Sequence, residues 1–203
     1  GIYCYESNPT ITNCTISGNS ADYGGGIYCN FSSNPTLTGC VIEGNTATNY
    51  GGGIYCNNSS NPTLTDCTIS GNTGRYGGGI YCYLSSPTLS GCVIDGNTAT
   101  NDGGGIYCNY AGNPTLTDCT ITANTTSRGG GIHCYSNSSP TLSGCTISDN
   151  TATDDGGGIY CYNNGNPTLT DCTISGNTAT DVGGGICSVF NSNATLAYTT
   201  VCG

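Results

Sequence analysis

The chain has 203 residues, of which 35% are hydrophobic, with no Trp, no Met and two Phe, too thin a supply for a conventional globular core. Arg75 and Arg128 are the only strong cations against twelve carboxylates, giving a formal net charge of -10 that disfavours nucleic acid and inserted or anionic membranes as partners. Sixteen cysteines argue against a reducing cytosol and for an extracellular or cell-surface location.

In chain order, Gly1-Ile2-Tyr3-Cys4 starts inside a repeat, which predicts one domain over residues 1–203, a mature or excised piece without a clear N-terminal cap. GGGIYC then recurs at Gly24, Gly51, Gly77, Gly103 and Gly156, with GGGIHC at Gly129, a period of 25 to 27 residues. Between these marks lies a second constant block, NPTLTGCVIEGNTAT from Asn34 and NPTLTDCTISGNTAT from Asn166.

Within each block the pattern has period two. Ile27 and Cys29 flank Tyr28, and Cys67 and Ile69 flank Thr68, as in short half-buried strands. Three short strands per coil, none able to bury its inward face alone, predict an all-β parallel β-helix (β-solenoid) of about eight coils. The inward residues of one coil would be Ile54, Cys56, Leu64, Cys67 and Ile69, with Asn19, Asn45, Asn72, Asn97, Asn124, Asn150 and Asn177 forming an amide ladder at one turn.

GGGIY followed by PTLxxCxISGNTA resembles the right-handed parallel β-helix repeats of bacterial and archaeal surface proteins, including the chlamydial polymorphic outer-membrane proteins. The resemblance covers nearly the whole chain. It implies a right-handed solenoid and is shared by adhesins, stalks and polysaccharide lyases, so it does not select a function. Two cysteines in every coil depart from it.

Seven coils place cysteines at equivalent positions: Cys4 and Cys14, Cys29 and Cys40, Cys56 and Cys67, Cys82 and Cys92, Cys108 and Cys119, Cys134 and Cys145, Cys161 and Cys172. In the last coil Cys187 and Cys202 are both shifted to outward positions. Bridges along each ladder would orphan one of seven, whereas bridges within each coil use all sixteen, so eight local disulfides in the order given are expected, Cys187 with Cys202 included. Each would contribute about 3 kcal/mol in the chain-entropy model. Reduced thiols are the alternative. No CxxC spacing or Cys-His cluster suggests a metal, and no cofactor is expected.

No catalytic constellation is expected. Asp66, Asp118 and Asp171 recur in alternate coils, with Gly39, Gly91 and Gly144 between, and read as surface charge. His133 replaces the repeated Tyr without a Ser, Cys or Asp partner at any recognisable spacing, and reads as a drifted repeat position. Tyr28, Tyr55, Tyr81, Tyr107 and Tyr160 should form an outward stripe suited to sugar rings or a neighbouring protein. Thr36 and Thr38, Thr63 and Thr65, Thr115 and Thr117, and Thr168 and Thr170 should form outward TxT arrays. Asn30, Asn57, Asn58 and Asn137 are acceptor sequons on one side of the solenoid.

The resulting expectation is a non-catalytic extracellular rod that joins end to end with itself in a fibre or forms a surface stalk. The alternatives are an adhesin module for glycans or proteins and, behind it, an ice-binding surface using the Thr arrays.

Overall fold

A computed structural model describes all residues 1–203. The chain forms strands and turns with no helix. Four strands, rather than the three expected, occur in each regular coil, as in Ile54–Asn57, Thr63–Thr65, Thr68–Ser70 and Thr73–Tyr76. Equivalent strands stack in parallel into three eight-stranded sheets and one seven-stranded sheet. The additional strand comes from the GNTAT segment, whose first Thr residues stay in register from Ser20↔Thr46 to Thr151↔Thr178.

The period of the sequence becomes register. Ile27↔Ile54, Leu64↔Leu89 and Ile69↔Ile94 pair like with like, and the inward side chains make one continuous buried column of Ile, Leu and Cys. Thin as the core is, every residue in it is shielded by the coils above and below. Two recurrent glycines allow the coil to close tightly. Gly77 adopts φ +64, and a Cβ on Gly78 would come within 2.6 Å of the Gly104 carbonyl oxygen of the next coil.

The asparagine ladder is fully engaged. Asn97 Oδ1 accepts from the backbone N and side-chain Nδ2 of Asn72 at 3.0 Å each, while Asn97 Nδ2 donates to the Ile69 carbonyl at 2.9 Å and to Asn124 Oδ1 at 3.0 Å. The same arrangement repeats through Asn45, Asn72, Asn124 and Asn150, so buried amides satisfy the turn in place of water.

The cysteines form two columns that differ in chemistry. In the first, Cys4, Cys29, Cys56, Cys82, Cys108, Cys134 and Cys161 pair in register, and Ser188 takes the place in the last coil. In the second, Cys14, Cys40, Cys67, Cys92, Cys119, Cys145 and Cys172 each donate S–H to the carbonyl two residues earlier, at 3.2 to 3.5 Å. Thr199 continues this column with a hydroxyl, donating to Ala197 and Leu169 carbonyls at 3.0 and 3.3 Å.

All sixteen cysteines are free thiols in the structure. The sulfurs that perturb Cys108 and Cys134 lie above and below them in the first column, and those that perturb Cys92 and Cys119 lie in the second. Cys187 and Cys202 stand on different faces of the solenoid. Cys187 sits beside Tyr160 on the outer face of one sheet, Cys202 beside Ser175 on another, with the core between them.

Candidate functional site on the tyrosine face

Tyr28, Tyr55, Tyr81, Tyr107 and Tyr160 point away from the core as the alternation requires, but they do not form an exposed stripe. Tyr55, Tyr81, Tyr107 and Tyr160 are buried and Tyr28 is half-buried. The ring pairs Tyr28–Tyr55 and Tyr81–Tyr107 stack nearly parallel, with centroids 4.9 and 5.1 Å apart. Burial raises the Tyr81 and Tyr107 phenols above their ordinary range.

What covers them is a column not recognised from the sequence: the residue immediately before each GGG. In the first coils this is Tyr23, Tyr50 and Tyr76, aligned by Tyr23↔Tyr50 and Tyr76↔Tyr50. Their rings lie over the tyrosine column, Tyr50 at 4.9 Å from Tyr81 and Tyr76 at 5.5 Å from Tyr107. On the other flank, Tyr83, Tyr135 and Tyr162 close the outer face in the middle and later coils. The signal was present in DYGGG, NYGGG and RYGGG, though it lapses in later coils.

It lapses where the face changes character. After Tyr76 the covering column continues with Asp102 and then Arg128, joined by a parallel bridge. Arg128 Nε donates to Asp102 Oδ1 at 2.9 Å and its terminal nitrogen to Oδ2 at 3.4 Å. His133 takes the floor position between Tyr107 and Tyr160, edge-on to both rings at 4.8 and 4.9 Å. Its Nδ1 is 3.8 Å from Asp102 Oδ1, and neither ring nitrogen has a hydrogen-bond partner.

Burial, and then the Arg128 guanidinium, push the His133 pKa down to about 3, so the imidazole is neutral. Burial raises the Asp102 carboxyl while Arg128 opposes that shift. Tyr76, Asp102, Tyr107, Arg128, His133, Tyr135, Tyr160 and Tyr162 together line a recess of about 240 Å³. His133 is therefore a member of a polar cluster rather than an isolated drifted position. Its partner Asp102 stands 31 residues away in sequence and meets it only through the solenoid repeat.

The other anticipated sites fall out differently. Thr36, Thr63, Thr115 and Thr168 belong to an unbroken outward column that runs from Thr10 to Thr195. The column of Thr38, Thr65, Thr117 and Thr170 is interrupted by Ser90 and Ser143 and ends in Ala197. Asp66, Asp118 and Asp171 occupy left-handed turns at φ 51 to 53°, alternating with Gly91 and Gly144, over which the Asp66 and Asp118 carboxylates fold. These carboxylates are turn residues.

Of the sequons, Asn137 is exposed and Asn57 and Asn58 are half-exposed. Asn30 differs from the other three: it is 7% exposed, and its Nδ2, the atom that would carry a glycan, donates to Tyr3 Oη at 3.5 Å.

A four-sided stack of in-register parallel coils with a filled core defines the class, a parallel β-solenoid. The model of the right handed beta helix region matches residues 1–101 and 52–201, and the chain belongs to that family. No curated protein matches it, and the narrower likeness to chlamydial surface proteins gains no support. The fold is compatible with structural and adhesin-like roles alike.

Proposed function

We propose that this chain is a non-catalytic extracellular rod, a rigid stalk or fibre segment whose chemistry lies on its outer faces. The observation that carries this reading is the unbroken register of all three eight-stranded sheets, with Ile, Leu, Asn and Thr each in its own ladder. Such a stack has no hinge, and eight coils at about 4.8 Å per step give a body roughly 35 to 40 Å long. Turn duty accounts for the recurrent carboxylates Asp66, Asp118 and Asp171, which argues against their use in glycoside or lyase chemistry.

Most thiols of both columns are 0 to 2% exposed, the shelter from oxidants that an extracellular location would require of unpaired cysteines. Coil joins coil through backbone pairs in parallel register, the same pairing by which a coil of a second copy would join the stack.

Electron microscopy and sedimentation over a concentration series test the assembly. End-to-end rods growing with concentration are expected. A protein that stays a single short body throughout eliminates the self-assembled fibre in favour of the stalk. Cleavage of a pectin-like acidic polysaccharide would overturn the non-catalytic reading itself.

A further inference from the structure

In the recess around His133 the aromatic ladder opens onto a buried side chain with both of its polar atoms unpaired. We infer that the recess is a binding site for one pyranose unit of a neutral oligosaccharide. The proposal does not depend on whether the rod assembles.

The walls supply stacking surface. Tyr135 and Tyr162 face each other at 5.7 Å with an interplanar angle of 28°, half-buried and accessible at the rim. Aromatic faces take up the C–H faces of a sugar ring, while polar groups at the rim fix its hydroxyls. The floor supplies those groups. His133, entirely enclosed and neutral, brings one donor and one acceptor without partners. Asp102 and Arg128 present a planar carboxylate and a planar guanidinium side by side, with the Arg128 side chain 42% exposed at the mouth. When Arg128 turns outward, a ligand hydroxyl reaches the imidazole and offsets the cost of leaving it unpaired.

Charge decides between ligand classes. The Asp102–Arg128 pair is internally neutralised, Asp154 and Asp155 lie close enough to act on Asp102 and Tyr160, and the chain as a whole carries -10. A uronate or phosphate would be repelled. A quaternary ammonium would suit an aromatic cage, but it has no donor or acceptor for the two unpaired His133 nitrogens, whereas a hydroxyl has both. A neutral hydroxyl-rich ring remains. The groove extends this selection: a second recess of about 220 Å³, lined by Tyr50, Tyr76, Tyr81, Tyr107, Asn109 and Tyr135, adjoins the first and gives an adjacent sugar further aromatic surface.

The test is calorimetric titration of the intact protein with cellohexaose, maltohexaose and chitohexaose, alongside hexagalacturonate and choline. His133→Tyr is the diagnostic variant, because Tyr stands at this position in the flanking coils and the substitution closes the recess without disturbing the strand. Arg128→Ala is the second variant, with thermal unfolding as the control for fold. Saturable binding of at least one neutral hexasaccharide, weakened tenfold or more by His133→Tyr, is expected. Three results would each overturn the proposal: no neutral sugar binding at about 10 mM, unchanged binding in His133→Tyr, or tighter binding of hexagalacturonate or choline than of every neutral sugar.

Discussion

The two cysteine columns are equal in number and residue type and run along the same core, yet they do different work. In the second column each S–H has a backbone carbonyl to meet at a tight corner, and where cysteine ends, Thr199 makes the same bonds with a hydroxyl. In the first, the thiols have no backbone acceptor and are packed against other thiols, with Ser188 as the terminal neighbour. Burial, together with the thiols of Cys108 and Cys161, keeps the Cys134 proton firmly in place. The lesson is that one residue serves as a weak donor in one place and as a small apolar filler in the other. The asparagine ladder is the fully satisfied extreme of the first behaviour, and His133 the unsatisfied extreme of the second.

The largest effect should come from breaking the satisfied extreme. Asn97→Ala removes four hydrogen bonds in a dry turn and leaves Asn72 and the Ile69 carbonyl unpaired, costing about 4 kcal/mol by chemical denaturation. A loss below about 1 kcal/mol would mean that the ladder is incidental. Next, Cys108→Ser places a hydroxyl where no carbonyl is available and should cost about 2 kcal/mol. Cys92→Ser, by contrast, can reuse the Ser90 and Leu64 carbonyls and should cost less than about 1 kcal/mol. Equal costs for the two serine variants would erase the distinction between the columns.

The one expected gain at neutral pH concerns His133. His133→Tyr removes two buried unpaired nitrogens and restores ring stacking, a gain of about 1 kcal/mol in unfolding free energy. Acid enlarges the difference. The folded pKa of about 3 lies below the ordinary 6.5, so the unfolded chain takes up the proton first. This contribution to stability is intact above about 6.5 and declines as pH falls from there toward about 3, by up to about 1.4 kcal/mol per pH unit. In His133→Tyr that slope should vanish, and its persistence would show that another group carries it.

Much of the fold was legible because a repeat converts sequence alignment directly into contacts. Ile27, Leu37, Ile42 and Asn45 are each buried where the period placed them. The fourth strand was missed because TAT after Gly-Asn reads locally as the exit from a turn; only pairing with the neighbouring coils makes it a strand. The site was less legible. Tyr81 was placed on the correct face, but its burial depends on Tyr50, which reaches over from the preceding coil's residue before GGG. Asp102 and His133 showed no recognisable spacing because their proximity is set by the coil and not by a local motif. Cysteine packing depends on where each sulfur turns, a matter of side-chain direction on which residue counting is silent.

We propose that the cysteines act as sheltered packing elements, in place of the within-coil disulfides expected from the sequence. Alkylation of the purified protein without reductant, counted by intact mass before and after denaturation, tests it most directly. Modification should begin at Cys14 and Cys202, the two exposed thiols, and reach all sixteen cysteines once the chain is unfolded. A denatured protein that takes up almost no reagent, with its mass lowered by the hydrogens lost to bridges, would contradict the account and restore the disulfide-stapled rod.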